Sequence, residues 1–168
     1  MIHFIGIDPG LSGAISVIND KQLFIFLEDI PIMAKSKGHG RVKNCVNPKG
    51  VFDILESWIK VLGPNRKKIV VYMENVSSRP GDGAAGAFSF GDTFGSLKAV
   101  CACVGLSLNL VTPAAWKNYF KIDADKEVAR AYAISQFPEA SSHLSRKKDH
   151  DRAESLLIAL YGVQNHGK

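Results

Sequence analysis

Residues 69–74 read Ile-Val-Val-Tyr-Met-Glu. Five apolar residues in a row, preceded by the basic turn Arg66-Lys67-Lys68 and closed by an acid, predict a short strand buried in the middle of a sheet. Just upstream, Val51, Ile54, Leu55, Trp58, Ile59 and Leu62 recur at the spacing of one helical face. This predicts an amphipathic helix over 50–62, ended by Gly63-Pro64-Asn65. Before that helix, residues 2–7, 14–18 and 22–28 predict three strands, separated by turns at Pro9-Gly10-Leu11-Ser12-Gly13 and Asn19-Asp20. Short turns make these an antiparallel meander. A right-handed crossover through the helix then places 69–73 parallel to a strand of the meander.

Beyond residue 74 the pattern continues in alternation. Residues 77–83 are rich in Gly and Ser and read as a loop. A helix is expected from about Ala84 to Val104, with Gly91 and Gly95 allowing close packing on the sheet. Leu106 to Val111 predicts a fifth strand. Thr112 and Pro113 suit the N-cap and first position of a short helix. Asp125–Gln136 predicts another, and a last helix starts at Ser145 or Asp149 and runs to about Val163. The segment 34–49 reads as a loop. The expected architecture is α/β: one domain over 1–168, with a mixed five-stranded sheet flanked by helices. Its first three strands form an antiparallel meander, and its fourth and fifth run parallel.

Composition narrows the function. A chain of 168 residues fits one domain with one sizeable core. With 46% hydrophobic and 22% charged residues it is neither disordered nor membrane-like. No apolar run approaches the ~18 residues of a membrane span. Met1–Asp8 lacks the basic region and cleavage site of a signal peptide, so the cytoplasm is the expected location. The net charge of +5 favours polyanionic partners. Five Lys or Arg and no acid lie between Lys35 and Lys49, and Arg66-Lys67-Lys68 and Arg146-Lys147-Lys148 add two more clusters. Solvated loops are the plain alternative for any one cluster. Cys45, Cys101 and Cys103 lack zinc-site spacing, and the last two, in an apolar stretch, read as buried free thiols.

The carboxylates carry the chemistry. Asp8 ends the first strand and Glu74 the fourth. If those strands are parallel neighbours, both acids emerge at one edge. Asp151 and Glu154, three apart on the last helix, share a face. Such a cluster costs free energy without cations. Its oxygen ligands suit Mg²⁺ or Mn²⁺, and two such ions can clamp an in-line phosphodiester displacement. Plainer roles exist: Asp8 can stabilise its turn, and Asp151 and Glu154 can complement a helix dipole. Asp149 reads as an N-cap and is the alternative fourth ligand.

Three motifs in order resemble one family. Ile5-Gly6-Ile7-Asp8-Pro9-Gly10, Val71-Tyr72-Met73-Glu74-Asn75-Val76 and Asp151-Arg152-Ala153-Glu154-Ser155-Leu156-Leu157-Ile158-Ala159 look like the three acidic motifs of the RuvC-type Holliday junction resolvases. These belong to the RNase H-like superfamily. The resemblance spans essentially the whole chain. It implies a homodimer that binds four-way DNA junctions and nicks two strands symmetrically with Mg²⁺ or Mn²⁺. It implies Asp8, Glu74, Asp151 and Glu154 as ligands, with Lys117 and Lys126 near the scissile phosphate. Two positions depart from the family. Its fourth acid is commonly Asp, where this chain has Glu154. An aromatic often follows the second motif, where this chain has Ser77; Phe88 or Phe90 can take over its stacking role. These departures and the basic 34–49 segment point to a divergent, phage-type member.

The residues expected to meet DNA are Lys35, Lys37, Arg41 and Lys43 in the basic segment, and Ser77 and Arg79 beside Glu74. Rival functions remain at this stage. An RNase H-type or other branched-DNA nuclease would use the same acids. A sugar-kinase or actin-like phosphotransferase needs two such domains and a longer chain. A non-catalytic junction-binding module is expected to have lost at least one of the four acids, and none is missing.

Overall fold

The computed structural model describes residues 1–35, 44–77, 83–123 and 125–167. Strands β1 (His3–Asp8), β2 (Ala14–Asn19) and β3 (Phe24–Asp29) form the antiparallel meander. Strand β6 (Ile69–Glu74) lies parallel to β1, and β7 (Ser107–Val111) lies parallel to β6. The sheet order is β3-β2-β1-β6-β7, so β1 and β6 are interior strands. Successive side chains of a strand point to opposite faces, and in β1 and β6 both faces are covered. Phe4, Val70 and Tyr72 enter one core with Trp116, Phe120 and Leu156. Ile5, Ile7, Val71 and Met73 enter another with Val51, Leu55, Leu97 and Cys101. This double burial is why residues 69–73 read as an unbroken apolar run.

Helix α1 (Pro48–Leu62) begins where the Asn47 side chain accepts the Gly50 N–H at 3.1 Å, and it stops at Gly63, whose φ of 108° suits a residue without a Cβ. Helix α2 (Gly83–Cys103) buries Thr93, Leu97, Val100 and Cys101 in its second half. Its first half is largely exposed, with Phe88 75% accessible. Helices α3 (Pro113–Phe120), α4 (Lys126–Gln136) and α5 (His150–Asn165) cover the other face. Helix α5 is buried along most of its length and lies against β1 and β2. It can lie that close because Gly6 and Gly162 present no Cβ: one at Gly6 would strike the α5 backbone, and one at Gly162 would strike the Tyr72 ring.

Several expectations are corrected. Strand β5 (Asn44–Val46), inside the segment read as a loop, pairs with β4 (Ile32–Ala34), which ends at the start of that segment, as a small antiparallel ribbon outside the main sheet. Gly91 and Gly95 do not mediate packing, since a Cβ on either would meet open space. Cys101 is buried as expected, but Cys103 is exposed and Cys45 intermediate. Residues 138–144 form a 3-10 turn that buries Ala140 and Leu144. Among the described residues no helix is long and apolar enough to cross a membrane. Lys37, Arg41, Lys43 and Arg79 lie outside the described residues.

Candidate metal centre

Asp8 is the last residue of β1 and Glu74 the last of β6. The two strands are parallel and in register, with Ile7 opposite Met73, so both acids reach the same sheet edge. The turn after Asp8 is tight: the Gly13 N–H bonds to the Gly10 carbonyl at 3.2 Å, and any Cβ on Gly13 would collide with the Asp8 carbonyl oxygen. Helix α5 begins at this edge, and its first turns carry Asp151 and Glu154. One carboxylate oxygen from each of Asp8, Asp151 and Glu154 lies within 4.8 Å of the others. Glu74 joins these three in the lining of a cavity of about 240 Å³, together with Phe90 and Lys126. All four acids are buried, at 7–8% exposure.

Burying acids together has an electrostatic consequence. Burial, followed by the charges of Glu154, Asp151 and Glu74, pushes the Asp8 carboxyl well above its ordinary range, against a smaller opposing pull from Lys126. The neighbouring acids draw cations instead. Lys117 Nζ stands 3.0 Å from Glu154 Oε1, and Lys126 Nζ stands 3.2 Å from Asp151 Oδ1. His150 Nε2 is 3.0 Å from the same Asp151 oxygen. The Trp116 indole N–H donates to Glu74 Oε1 at 2.9 Å. Glu154 Oε1 faces the Lys117 ammonium as a charge contact, but makes no aligned hydrogen bond among the described residues. A buried carboxylate oxygen with lone pairs to spare, in an all-oxygen donor set, fits a hard divalent cation such as Mg²⁺ or Mn²⁺.

No protein-family model matches the sequence, and no relative was found among curated proteins. Solved structures do match. A Thermus thermophilus RuvC in complex with a Holliday junction substrate superposes with a TM-score of 0.55 at 17% identity, covering 95% of this chain and 91% of that one. A further T. thermophilus RuvC structure gives a TM-score of 0.51 at 13% identity, covering 97% and 96%. This chain has the RNase H-like fold of RuvC.

Within the RuvC-like fold, the six residues expected at the metal centre meet. Asp8, Glu74, Asp151 and Glu154 line one cavity, and Lys117 and Lys126 stand at two of those acids. Asp149 does not join them. It sits at the N-cap position of α5, but its carboxylate makes no capping bond there. It turns instead to the Arg146 N–H at 2.8 Å and the Arg146 guanidinium at 2.7 Å, which together hold its pKa below the usual range. It is not among the acids whose oxygens converge within 4.8 Å. Ser77 is exposed just past β6, and Lys35 pairs with Asp92 of α2 at 3.1 Å. The other two basic clusters are partly structural, since Arg66 binds Glu56 and the Val104 carbonyl. Phe90 lines the acid cavity; Phe88 does not. Two residues at the site had no signal strong enough to read in sequence. Trp116 looks like core in a helix of mixed character, and His150 looks like part of a basic run.

Proposed function

We propose that this chain is a metal-dependent endonuclease that resolves four-way DNA junctions, nicking two strands symmetrically as a homodimer. The observation that carries the reading is the convergence of four buried carboxylates at one sheet edge. The fold supports it, because a structure sharing it is a RuvC in complex with a Holliday junction substrate.

Asp8, Glu74, Asp151 and Glu154 would hold the ions. Two Mg²⁺ or Mn²⁺ ions would supply the positive charge that stabilises the attacking and leaving oxygens of an in-line displacement. The four acids are largely buried, which would strengthen each of these interactions. Lys117 and Lys126, once released from their ion pairs, are placed to neutralise charge developing on the scissile phosphate. Phe90, which lines the cavity, would offer a ring for stacking a base. Lys35, Lys37, Arg41, Lys43, Ser77 and Arg79 would contact the DNA beyond the cavity.

A nicking assay on four-way, RNA–DNA hybrid and linear duplex substrates tests the reading. Paired symmetric nicks in the four-way substrate are expected. Preferential cutting of the hybrid would instead assign an RNase H-type nuclease, and junction binding without cutting at any metal concentration would assign a non-catalytic module.

A further inference from the structure

The two glutamates of the site pose a problem that the two aspartates do not. Each has one more rotatable bond, so each loses more conformational freedom when its carboxylate is held in one place. One turn of α3 touches both. The helix is anchored at its start, where the Thr112 side chain accepts the Ala115 N–H at 3.2 Å and Pro113 fixes the first turn. Its Trp116 is fully buried and donates its indole N–H to Glu74 Oε1 at 2.9 Å. The next residue, Lys117, lies 5.0 Å over the Trp116 ring and 3.0 Å from Glu154 Oε1.

An indole N–H is a lone donor on a rigid ring with no accepting partner of its own. Held in the core, it engages one named oxygen of Glu74 and favours side-chain rotamers that keep that oxygen in reach. A buried indole N–H needs some acceptor, and here the acceptor is a carboxylate that lines the acid cavity. We infer that Trp116 is a positioning residue, which holds the Glu74 carboxylate in the rotamer that receives a divalent ion. The inference rests on the metal-centre reading above. Groups that orient a metal ligand in this way change metal affinity by roughly ten- to a hundredfold when removed.

The test is a double-mutant cycle read by Mn²⁺ binding in calorimetry, on the full chain: wild type, Trp116→Phe, Glu74→Gln and the double variant. Trp116→Phe keeps an aromatic ring and deletes the donor. It is expected to weaken Mn²⁺ binding about ten- to a hundredfold, and to cost nothing further once Glu74 is already Gln. An equal loss in both backgrounds would mean that Trp116 acts through packing, and unchanged binding would mean that it does not act at all; either overturns the inference. A wild-type chain that binds no Mn²⁺ fails at the first titration and takes the metal-centre reading down with it. Should Trp116→Phe not fold, the chain's only other tryptophan, Trp58, stacked on Phe26, provides a second route. In the Trp58→Phe protein the emission of Trp116 is expected to shift on saturation with Mg²⁺, and Glu74→Gln is expected to abolish the shift. Emission indifferent to Mg²⁺ in a chain that binds it would equally overturn the inference.

Discussion

Gly6 of β1 lies so close to Ser155 of α5 that a methyl group placed on it would run into the Ser155 carbonyl oxygen and sit 2.6 Å from the Ala159 nitrogen. The helix therefore rests on the strand backbone itself. That contact, two residues from Asp8 and one turn from Asp151, sets the spacing between the acids of the strand and those of the helix. Gly6→Ala must push α5 outward. It is expected to destabilise the chain by about 1–3 kcal/mol or more in urea unfolding, and to lower metal affinity because three ligands no longer converge. A variant with wild-type stability would show that the helix can yield freely.

The acids themselves make the chain's stability depend on pH in a stated direction. The raised pKa of Asp8 means that the folded state holds this proton more tightly than the unfolded state, whose value is near 3.8. Its favourable contribution is complete below that value and is lost as pH rises through the higher folded value. In EDTA, Asp8→Asn is therefore expected to melt above wild type at neutral pH, with the gap closing on acidification. Melting curves of both proteins across this range decide it, and a gap independent of pH is the contrary result.

Cleavage should require Mg²⁺ or Mn²⁺, while Ca²⁺ should support junction binding without cutting, because its longer and looser coordination misplaces the reacting groups. Asp8→Asn and Glu74→Gln are expected to abolish cutting and to leave junction binding intact or tighter. Robust nicking in excess EDTA, or full activity in either variant, contradicts the proposed site.

Much of this geometry was legible beforehand, and for reasons visible in particular residues. The apolar runs of β1 and β6 mark strands covered on both faces, and an acid closing each run marks where the cover ends. The β4–β5 ribbon escaped notice because each strand has only three residues, and Ile32, Met33 and Ala34 are all exposed, so no alternation survives. Asp149 does occupy the N-cap position, but its carboxylate pairs with Arg146 three residues back, which looks identical to a capping acid in sequence. Gly91 and Gly95 read as packing sites, since composition does not tell which way a helix faces. Glu154 differs from the family's usual Asp by one methylene, and only the three-dimensional structure shows that it still comes within 4.8 Å of Asp8 and Asp151.

Salt dependence tests the DNA path. Replacing Lys35, Lys37, Arg41 and Lys43 together by Ala should weaken binding to every DNA shape and flatten the salt slope by up to about four units. Lys35 pairs with Asp92, but both side chains are substantially exposed, so a phosphate can compete for it at little cost. An unchanged slope would move the DNA path to Lys67-Lys68 or Lys147-Lys148.

The exposed ring of Phe88 bears on assembly. A wild-type homodimer in sedimentation whose melting temperature rises with protein concentration, and a folded Phe88→Glu monomer that loses that concentration dependence, are the expected results. A wild-type monomer at micromolar concentration, with and without DNA, would remove the symmetric two-site mechanism.

The packing of α5 on β1 has a consequence for timing. Synthesis proceeds at roughly 5–20 residues per second, and Asp8 leaves the ribosome long before Asp151 and Glu154 exist. Until the last helix docks, β1 and β2 lack the cover of α5, and Asp8 lacks two of the three oxygens that converge there. A chain that stops before α5 thus lacks two of the four acids that line the cavity. If the proposed function holds, cutting has to wait until α5 has been made and has docked on β1.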